Sequence, residues 1–456
     1  MQERHGTTSK DMTQGPIVRQ IVGFSLPLLL GNIFQMLYNV VDSAVMGQFV
    51  GKQALAAMGS TTPVVNVAVF FFAGFSIGAS VLIGRHFGAR ETEKLHTAVE
   101  TTMALTFVLC AAFTVVGVLG EERLLAVMST PADVFGDASA YLRIYFAGIS
   151  GLLVYNMCSG ILRAVGDSVR PLYLLILTSL LNVVLDLAFV VGLGMGIEGA
   201  SLATVVSQLV SAVLVLRLLT HTTDVYRFAW RDLCMNGTVL RGILTIGIPA
   251  GLQSAITSLS NVVVQSYINF FGATVMAGWT VYMKLAEFAM LLMQTISMAA
   301  TTFVSQNLGA RNITRVNKGT KYSLLLALTL TFAVVSVIEL FAPQGIGLFT
   351  SDADVIDVGV RFVRVNLYFA LFNCVNHVLA GALRGRGDSL GPMVIMLSCF
   401  VALRQTYLFV MANFISNTPA TIGFGYPVGW MSCCVVEVTY FYLRWNRRER
   451  REALAG

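Results

Sequence analysis

Gly160-Ile-Leu-Arg-Ala-Val-Gly-Asp-Ser168 and Gly381-Ala-Leu-Arg-Gly-Arg-Gly-Asp-Ser389 are near copies lying 221 residues apart, and each is followed three residues later by a proline, Pro171 or Pro392. The register extends well beyond them. His86-Phe-Gly-Ala-Arg90 answers to Asn307-Leu-Gly-Ala-Arg311 and Gly51 to Gly272 at the same offset, while Pro27 matches Pro249 once one residue is allowed for. The chain is therefore a duplicated unit, and each copy is a control for the other.

Composition fixes the medium. Of 456 residues, 56% are hydrophobic and 12% charged, with a mean hydropathy of +0.74, too little polar surface for a water-soluble globule. Runs long enough to cross roughly 30 Å of hydrocarbon lie near 17–47, 54–83, 95–119, 138–162, 171–191 and 197–219. They recur near 240–269, 275–305, 322–341, 358–383, 391–412 and 421–443. None shows the polar–apolar alternation of outer-membrane barrel strands. The expected fold is an all-α membrane protein of twelve transmembrane helices in two six-helix lobes: residues 1–219, a cytoplasmic linker 220–239, and residues 240–456 ending in a basic tail.

Charge sets the expected orientation. The N-terminal segment, the even-numbered loops and the C-terminal tail hold 23 of the 30 Lys and Arg, among them Arg85, Arg90, Lys94, Arg217, Arg227, Arg231, Arg241, Arg311, Arg315, Lys318 and Lys321. The opposite loops carry only Lys52 and Arg123 against Glu121, Glu122, Asp133, Asp137, Glu198, Asp352, Asp354 and Asp357. The positive-inside bias places both termini in the cytoplasm. The net charge of +6 then reflects topology and anionic lipid contact rather than nucleic-acid binding. The segment through Thr13 lacks a signal-peptide core and cleavage site, so the first span is expected to remain.

Several motifs lose their force against the repeat. Arg386-Gly-Asp388 looks like an adhesion tripeptide, yet its counterpart is Val165-Gly-Asp167, and the common element reads as a helix stop at glycine followed by an Asp-Ser cap. The seven cysteines, Cys110, Cys158, Cys234, Cys374, Cys399, Cys433 and Cys434, form no CxxC and have no partnered histidines, which argues against a disulfide framework or a zinc site. There is no GxxxxGK[ST], HExxH or Gly-x-Ser-x-Gly, so no nucleotide cassette or hydrolase is indicated. The expectation is a non-enzyme without a cofactor.

Chemistry then rests on ionisable groups inside the apolar runs, which are costly there and so are functional candidates: Asp42, Asp186, Glu287, Lys284, Arg404 and, nearer the interfaces, Glu339 and Glu437. Asp42 lies a turn or two before the outer end of the first span. Asn182 and Asp186 share one face of the fifth span by i, i+4 spacing, and Thr204 falls at matching depth on the sixth. Two carboxylates, an amide and a hydroxyl can thus meet in the first half. The positions 221 residues on from Asn182, Asp186 and Thr204 are Leu403, Tyr407 and Gly425, and no acid occupies the counterpart of Asp42 among Asn261 to Val264. A lopsided carboxylate pair in a duplicated scaffold points to a cation-coupling site using H⁺ or, with Asp42, Asn182 and Asp186 as ligands, Na⁺. The competing assignment is neutral, hydrogen-bonded helix packing.

Glu287 lies near the expected midplane of the eighth span, with Lys284 three residues before it, so it either pairs with that lysine or faces cationic cargo. Tyr282, Met290 and Met293 on the same span and Gln253 on the seventh complete the candidate substrate-binding set, soft side chains of the kind that suit a promiscuous pocket.

Twelve spans in two halves, the Leu-Arg-x-x-Gly-Asp-Ser element, Pro27 with Asp42, and Asn182-x-x-x-Asp186 together resemble the multidrug and toxic compound extrusion (MATE) family across essentially the whole chain. With Glu287 in Lys-Leu-Ala-Glu, the chain is most similar to the DinF-like and MepA-like bacterial branch. The resemblance implies two lobes around a central cavity, rocking between outward- and inward-open states to export drugs and toxins against H⁺ or Na⁺ influx, with the first-lobe cation site at Asp42, Asn182, Asp186 and Thr204. The NorM-like branch has an acid on the seventh span where this chain offers Thr257 or a neighbour, which removes the basis for a second-lobe cation site of that type. The expected function is an ion-coupled multidrug antiporter, monomeric and in contact with membrane lipids; the alternative is a flippase for lipid-linked or amphipathic cargo.

Overall fold

The computed structural model describes residues 11–128 and 130–446; the first ten residues and the basic tail expected from Arg447 onward lie outside the described residues. Among the described residues every regular element is helical. In the first half, α1 (Ile17–Val45) runs through Pro27 into a π-type turn, Met46–Val50, and α2 (Lys52–Ala89) and α3 (Thr92–Val127) follow. Next, α4 (Ala132–Ala147) meets α5 (Ile149–Ala164) at 47°. The half closes with α6 (Val169–Asp186), a second π-type turn at Leu187–Gly192, and α7 (Gly196–His221).

The second half holds α8 (Gly237–Asn269), α9 (Ala273–Gly309), α10 (Ile313–Leu340), the short α11 (Ala342–Gly347), and α12 (Ala353–Asn366) joined through a 3₁₀ turn to α13 (Ala370–Gly385). It ends with α14 (Leu390–Leu397), a π-type turn at Ser398–Leu403, α15 (Arg404–Val410), α16 (Pro419–Gly423) and α17 (Gly425–Phe441). Nine of the described helical segments are long and apolar enough to cross a membrane, and the bent α4–α5 pair makes a tenth. The two other expected spans correspond to α12–α13, interrupted at Leu367–Phe369, and to α17, whose regular α-helix has only 17 residues. The chain is an all-α, multi-pass membrane protein.

The repeat is preserved in backbone detail. The starts of α2 and α9, α3 and α10, α4 and α12, α5 and α13, and α6 and α14 are each 221 positions apart. The only non-glycine residues described with positive φ are Arg90 (57°) and Arg311 (56°), again one repeat apart. Beside the first of them, Glu91 accepts from Lys94 Nζ and lies 2.9 Å from His86 Nδ1, and these two neighbours, the lysine foremost, hold its carboxyl below the usual range.

The repeated Gly-Asp-Ser element works through its glycine and aspartate. Gly166 (φ 84°) and Gly387 (φ 90°) take the left-handed conformation that closes a helix, with Asp167 N and Asp388 N donating back to Leu162 O and Leu383 O at 2.9 Å. Asp167 Oδ1 then accepts from Val169 N and Arg170 N, and Asp388 Oδ1 from Gly391 N, all at 3.1 Å. The expected Asp-Ser cap is thus corrected: neither Ser168 nor Ser389 makes a side-chain cap, because the aspartate one residue earlier already reaches the free N–H groups.

A second correction concerns Glu121, expected in an outer loop. Helix α3 continues to Val127, so Glu121 lies within it at 2% exposure. Arg143 on α4 holds it with Nε at 2.9 Å and Nη2 at 2.8 Å. Paired and hydrogen-bonded in this way, a carboxylate survives burial.

The chain packs as two compact units. Leu26–Gly251 forms the body of one; the stretch from Leu252 onward, with Thr13–Ser25, forms the other. The first unit has a core including Phe72, Phe75, Tyr145 and Met157, and the second a core including Trp279, Tyr282, Phe362 and Trp430. The division falls inside α8 rather than in the 220–239 linker because the first turns of α8 dock on α2. A Cβ on Gly74 would come within 2.3 Å of Gly251 N, and one on Gly78 within 2.4 Å of Ile243 O. Only glycine permits so close a backbone approach.

Candidate cation site in the first unit

Three helices contribute the cluster. Asp42 lies in the last turn of α1 before the π-type turn Met46–Val50, and Asp186 is the final α-helical residue of α6 before the π-type turn Leu187–Gly192. Such turns recur at functional sites because the extra residue breaks the regular ladder and re-aims side chains. Asn182 precedes Asp186 by one turn, and Thr204 comes from α7. All four are buried, with exposures of 5% for Asp42, 3% for Asn182, 0% for Asp186 and 9% for Thr204.

The carboxyl groups of Asp42 and Asp186 lie within hydrogen-bonding reach of each other, and Asn182 Nδ2 donates to Thr204 Oγ1 at 3.5 Å. As two carboxylates the pair has no donor between its members. Asp42 Oδ1, both oxygens of Asp186 and Asn182 Oδ1 are all buried without a hydrogen-bond donor. Four buried acceptors without a donor among the described residues make the cluster electron-rich. A single shared proton converts one carboxyl into a donor to the other. A hard monovalent cation suits the same all-oxygen donor set. No group of three or more His, Cys, Asp or Glu able to hold a metal occurs among the described residues, so any ion bound at this site relies on the amide and hydroxyl as well as the two acids.

The surroundings include residues that inspection for charge alone passes over. Half-buried Tyr38 on α1 and buried Tyr141 on α4 lie in electrostatic reach of both Asp42 and Asp186, and buried Tyr145 on α4 lies in reach of Tyr38. The rings of Tyr141 and Tyr145 stack at 6.3 Å. The available signal was spacing: Tyr38 stands four residues before Asp42, and Tyr141 four before Tyr145, so each pair shares a helix face.

The other candidates separate. Glu287 and Lys284 are both exposed on α9, whereas Tyr282 and Met293 point into the core of the second unit, Tyr282 against Trp279 at 5.1 Å between ring centroids. Met290 is half-buried and accepts from Asn373 Nδ2 at 3.1 Å. Gln253 is buried and accepts from Arg384 Nη2 at 2.7 Å. Glu287, Tyr282, Met290, Met293 and Gln253 therefore do not share one surface. Glu437 is buried beside Cys433, with Arg384 as its charged neighbour, and Glu339 sits near Arg364. At the mirror position of Asp186, Tyr407 donates to Thr421 O at 3.1 Å.

The sequence model of the MatE family matches residues 27–188 and 249–407, one match in each repeat. The chain belongs to the MatE family. Within this family it is 28% identical over 441 residues to the probable multidrug resistance protein YpnP of Bacillus subtilis (strain 168), covering 96% of this chain and 97% of that protein. It is 26% identical over 433 residues to the probable multidrug resistance protein YoeA of the same organism, covering 93% and 94%. Among solved structures it is similar to a MATE crystal structure in the straight conformation, with a TM-score of 0.91, 25% identity, and coverage of 97% of this chain and 99% of that one. The first MatE match contains Asp42, Asn182 and Asp186, and the second contains Arg404, which stands beside the mirror position of Asn182.

Proposed function

We propose that this MatE chain is an ion-coupled multidrug exporter of the bacterial cytoplasmic membrane, with both termini cytoplasmic. It works by alternating access, and Asp42 and Asp186 are its coupling acids. The observation that carries this reading is the buried pair itself: two carboxyl groups in mutual reach, flanked by orphaned oxygens, present in one repeat and absent from the other. Uptake of one H⁺ or Na⁺ from outside removes one of the pair's two negative charges, and release inside restores it. Each change alters the cost of burying α1 against α6 and so biases one conformation over the other. The names of the relatives support small-molecule drugs as cargo. Glu287, an acid exposed on α9 three residues after Lys284, supports amphipathic cations within that class.

The test is flux in liposomes containing the purified protein alone. A cationic dye added to the lumen side should drive counter-movement of H⁺ or Na⁺ in fixed ratio. Dye or lipid movement with no ion flux would overturn coupling and favour the flippase alternative.

A further inference from the structure

Arg404 is a buried charge in the second unit with no counter-charge among the described residues. It opens α15 immediately after the π-type turn Ser398–Leu403 and is 2% exposed. Its Nη2 donates to Ser260 Oγ at 2.7 Å and to Asn261 Oδ1 at 2.9 Å, and its guanidinium carbon sits 4.6 Å from the centroid of the Tyr426 ring. Every one of these partners is neutral. Its Nε is buried with no acceptor, and the neighbouring Gln405, whose Nε2 donates to Ser260 Oγ at 2.8 Å, has its own Oε1 unpaired. Of the buried acids described in this unit, Glu437 has Arg384 as its charged neighbour and Asp388 has Arg444, its Nε at 3.3 Å.

A guanidinium does not shed its proton in a protein, so the positive charge stays at this depth whatever the pH. Neutral acceptors and one aromatic face offset only part of the cost of removing it from water. An idle N–H beside such a charge is a donor without an anion.

The repeat gives the location meaning. Helices α8 and α15 bring Ser260, Asn261 and Arg404 together in the second unit as α1 and α6 bring Asp42, Asn182 and Asp186 together in the first. Arg404 is one residue past the counterpart of Asn182, and Asn261 is the first of the positions, Asn261 to Val264, among which the counterpart of Asp42 falls. Each place also lies near a π-type turn, although the turns are not repeat counterparts, since Ser398–Leu403 answers to residues 177–182 inside regular α6. We propose that the second unit carries an anion site of opposite sign at the pseudo-equivalent position, in which Arg404, held by Ser260 and Asn261, takes one monovalent anionic group, a halide or an organic carboxylate. This assignment does not depend on the coupling role of Asp42 and Asp186.

Equilibrium binding to the purified full-length protein tests it, using radiolabelled chloride and, separately, radiolabelled 4-phenylbutyrate, with the neutral phenylbutyramide as competitor. Saturable binding of at least one anion, not displaced by the amide, is expected in the wild type. Chloride alone would mark a halide site and phenylbutyrate alone a carboxylate site. Arg404→Gln should weaken binding at least tenfold. Because that variant also removes packing, Asn261→Asp provides the second arm: it supplies an internal carboxylate to Arg404, should abolish binding of either anion, and should leave the protein monodisperse with unchanged or raised Tm. Absence of saturable binding of both anions to the wild type, or binding retained in Asn261→Asp, would overturn the proposal.

Discussion

Asp42 and Asp186 each stand in the last α-helical turn before a π-type turn, and their carboxyl groups meet there without a donor among the described residues. An amide at either position can neither accept a transported proton nor supply charge to Na⁺, yet it keeps the shape and brings an N–H to the orphaned oxygens. Asp42→Asn and Asp186→Asn should therefore express and fold normally while gradient-driven export falls by tenfold or more. Equilibrium dye binding should persist. Tyr407→Phe, at the mirror position of Asp186, should stay within about twofold of wild type in the same assay, since it loses one neutral hydrogen bond of roughly 1 kcal/mol. Wild-type export by both asparagine variants would exclude this pair as the coupling site.

Glu287 is exposed on α9, as is Lys284, so its charge is available to cargo. Glu287→Gln should reduce export of monovalent and divalent lipophilic cations about tenfold, the equivalent of roughly 1.4 kcal/mol for a charge-assisted contact. Neutral and zwitterionic dyes should be exported as before. Transport assays across such a substrate series decide the matter: an equal loss for all classes, with poor membrane levels, would mean a structural role.

Which features were legible in the sequence follows from periodicity and charge. The 221-residue register exposed the duplication because glycine and aspartate at helix ends serve backbone needs that few other residues meet, as Gly166 with Asp167 and Gly387 with Asp388 demonstrate. Asp42, Asn182, Asp186 and Thr204 could be assembled because helix depth and i, i+4 spacing suffice to bring polar residues of three spans together. Where burial depends on a partner, the reading failed: Glu121 looked like a loop acid because nothing local announces Arg143 on the next helix. Tyr282 and Met293 were grouped with Glu287 by proximity along α9, although a helix in a packed unit turns successive residues to different surroundings. The unit boundary inside the continuous helix α8 was equally hidden, since it depends on which glycines of α2 the helix meets.

Gly74 provides the test of that packing. A β-carbon there would lie within 2.5 Å of Gly247 O and of Gly251 Cα, both backbone atoms that cannot rotate away. Gly74→Val should therefore force α2 and α8 apart, costing roughly 1 to 3 kcal/mol or more by overpacking and lowering the Tm of the detergent-solubilised protein by several degrees. Gly59→Ala, on the same helix with open space around the new methyl, is the matched control and should leave Tm unchanged. Equal Tm values for Gly74→Val and Gly59→Ala would show that α8 does not depend on this approach.

Thr204 separates the two candidate ions. Its hydroxyl takes the Asn182 amide hydrogen at 3.5 Å, a long contact that leaves its lone pairs free to serve a cation, whereas a proton shared between Asp42 and Asp186 needs no third oxygen. Thr204→Val is nearly isosteric and removes only the hydroxyl. In Na⁺-driven export it should raise the half-saturating Na⁺ concentration about tenfold, because a hard cation loses one of few oxygen ligands in a site that water cannot easily refill. In proton-driven export the same variant should remain within about twofold of wild type at every pH. Measuring dye export from liposomes under an imposed Na⁺ gradient at fixed pH, and then under a pH gradient without Na⁺, distinguishes the cases. A proton-driven rate that collapses together with the Na⁺-driven one, at normal protein levels, would show that Thr204 acts by orienting Asn182 and Asp186 rather than as an ion ligand.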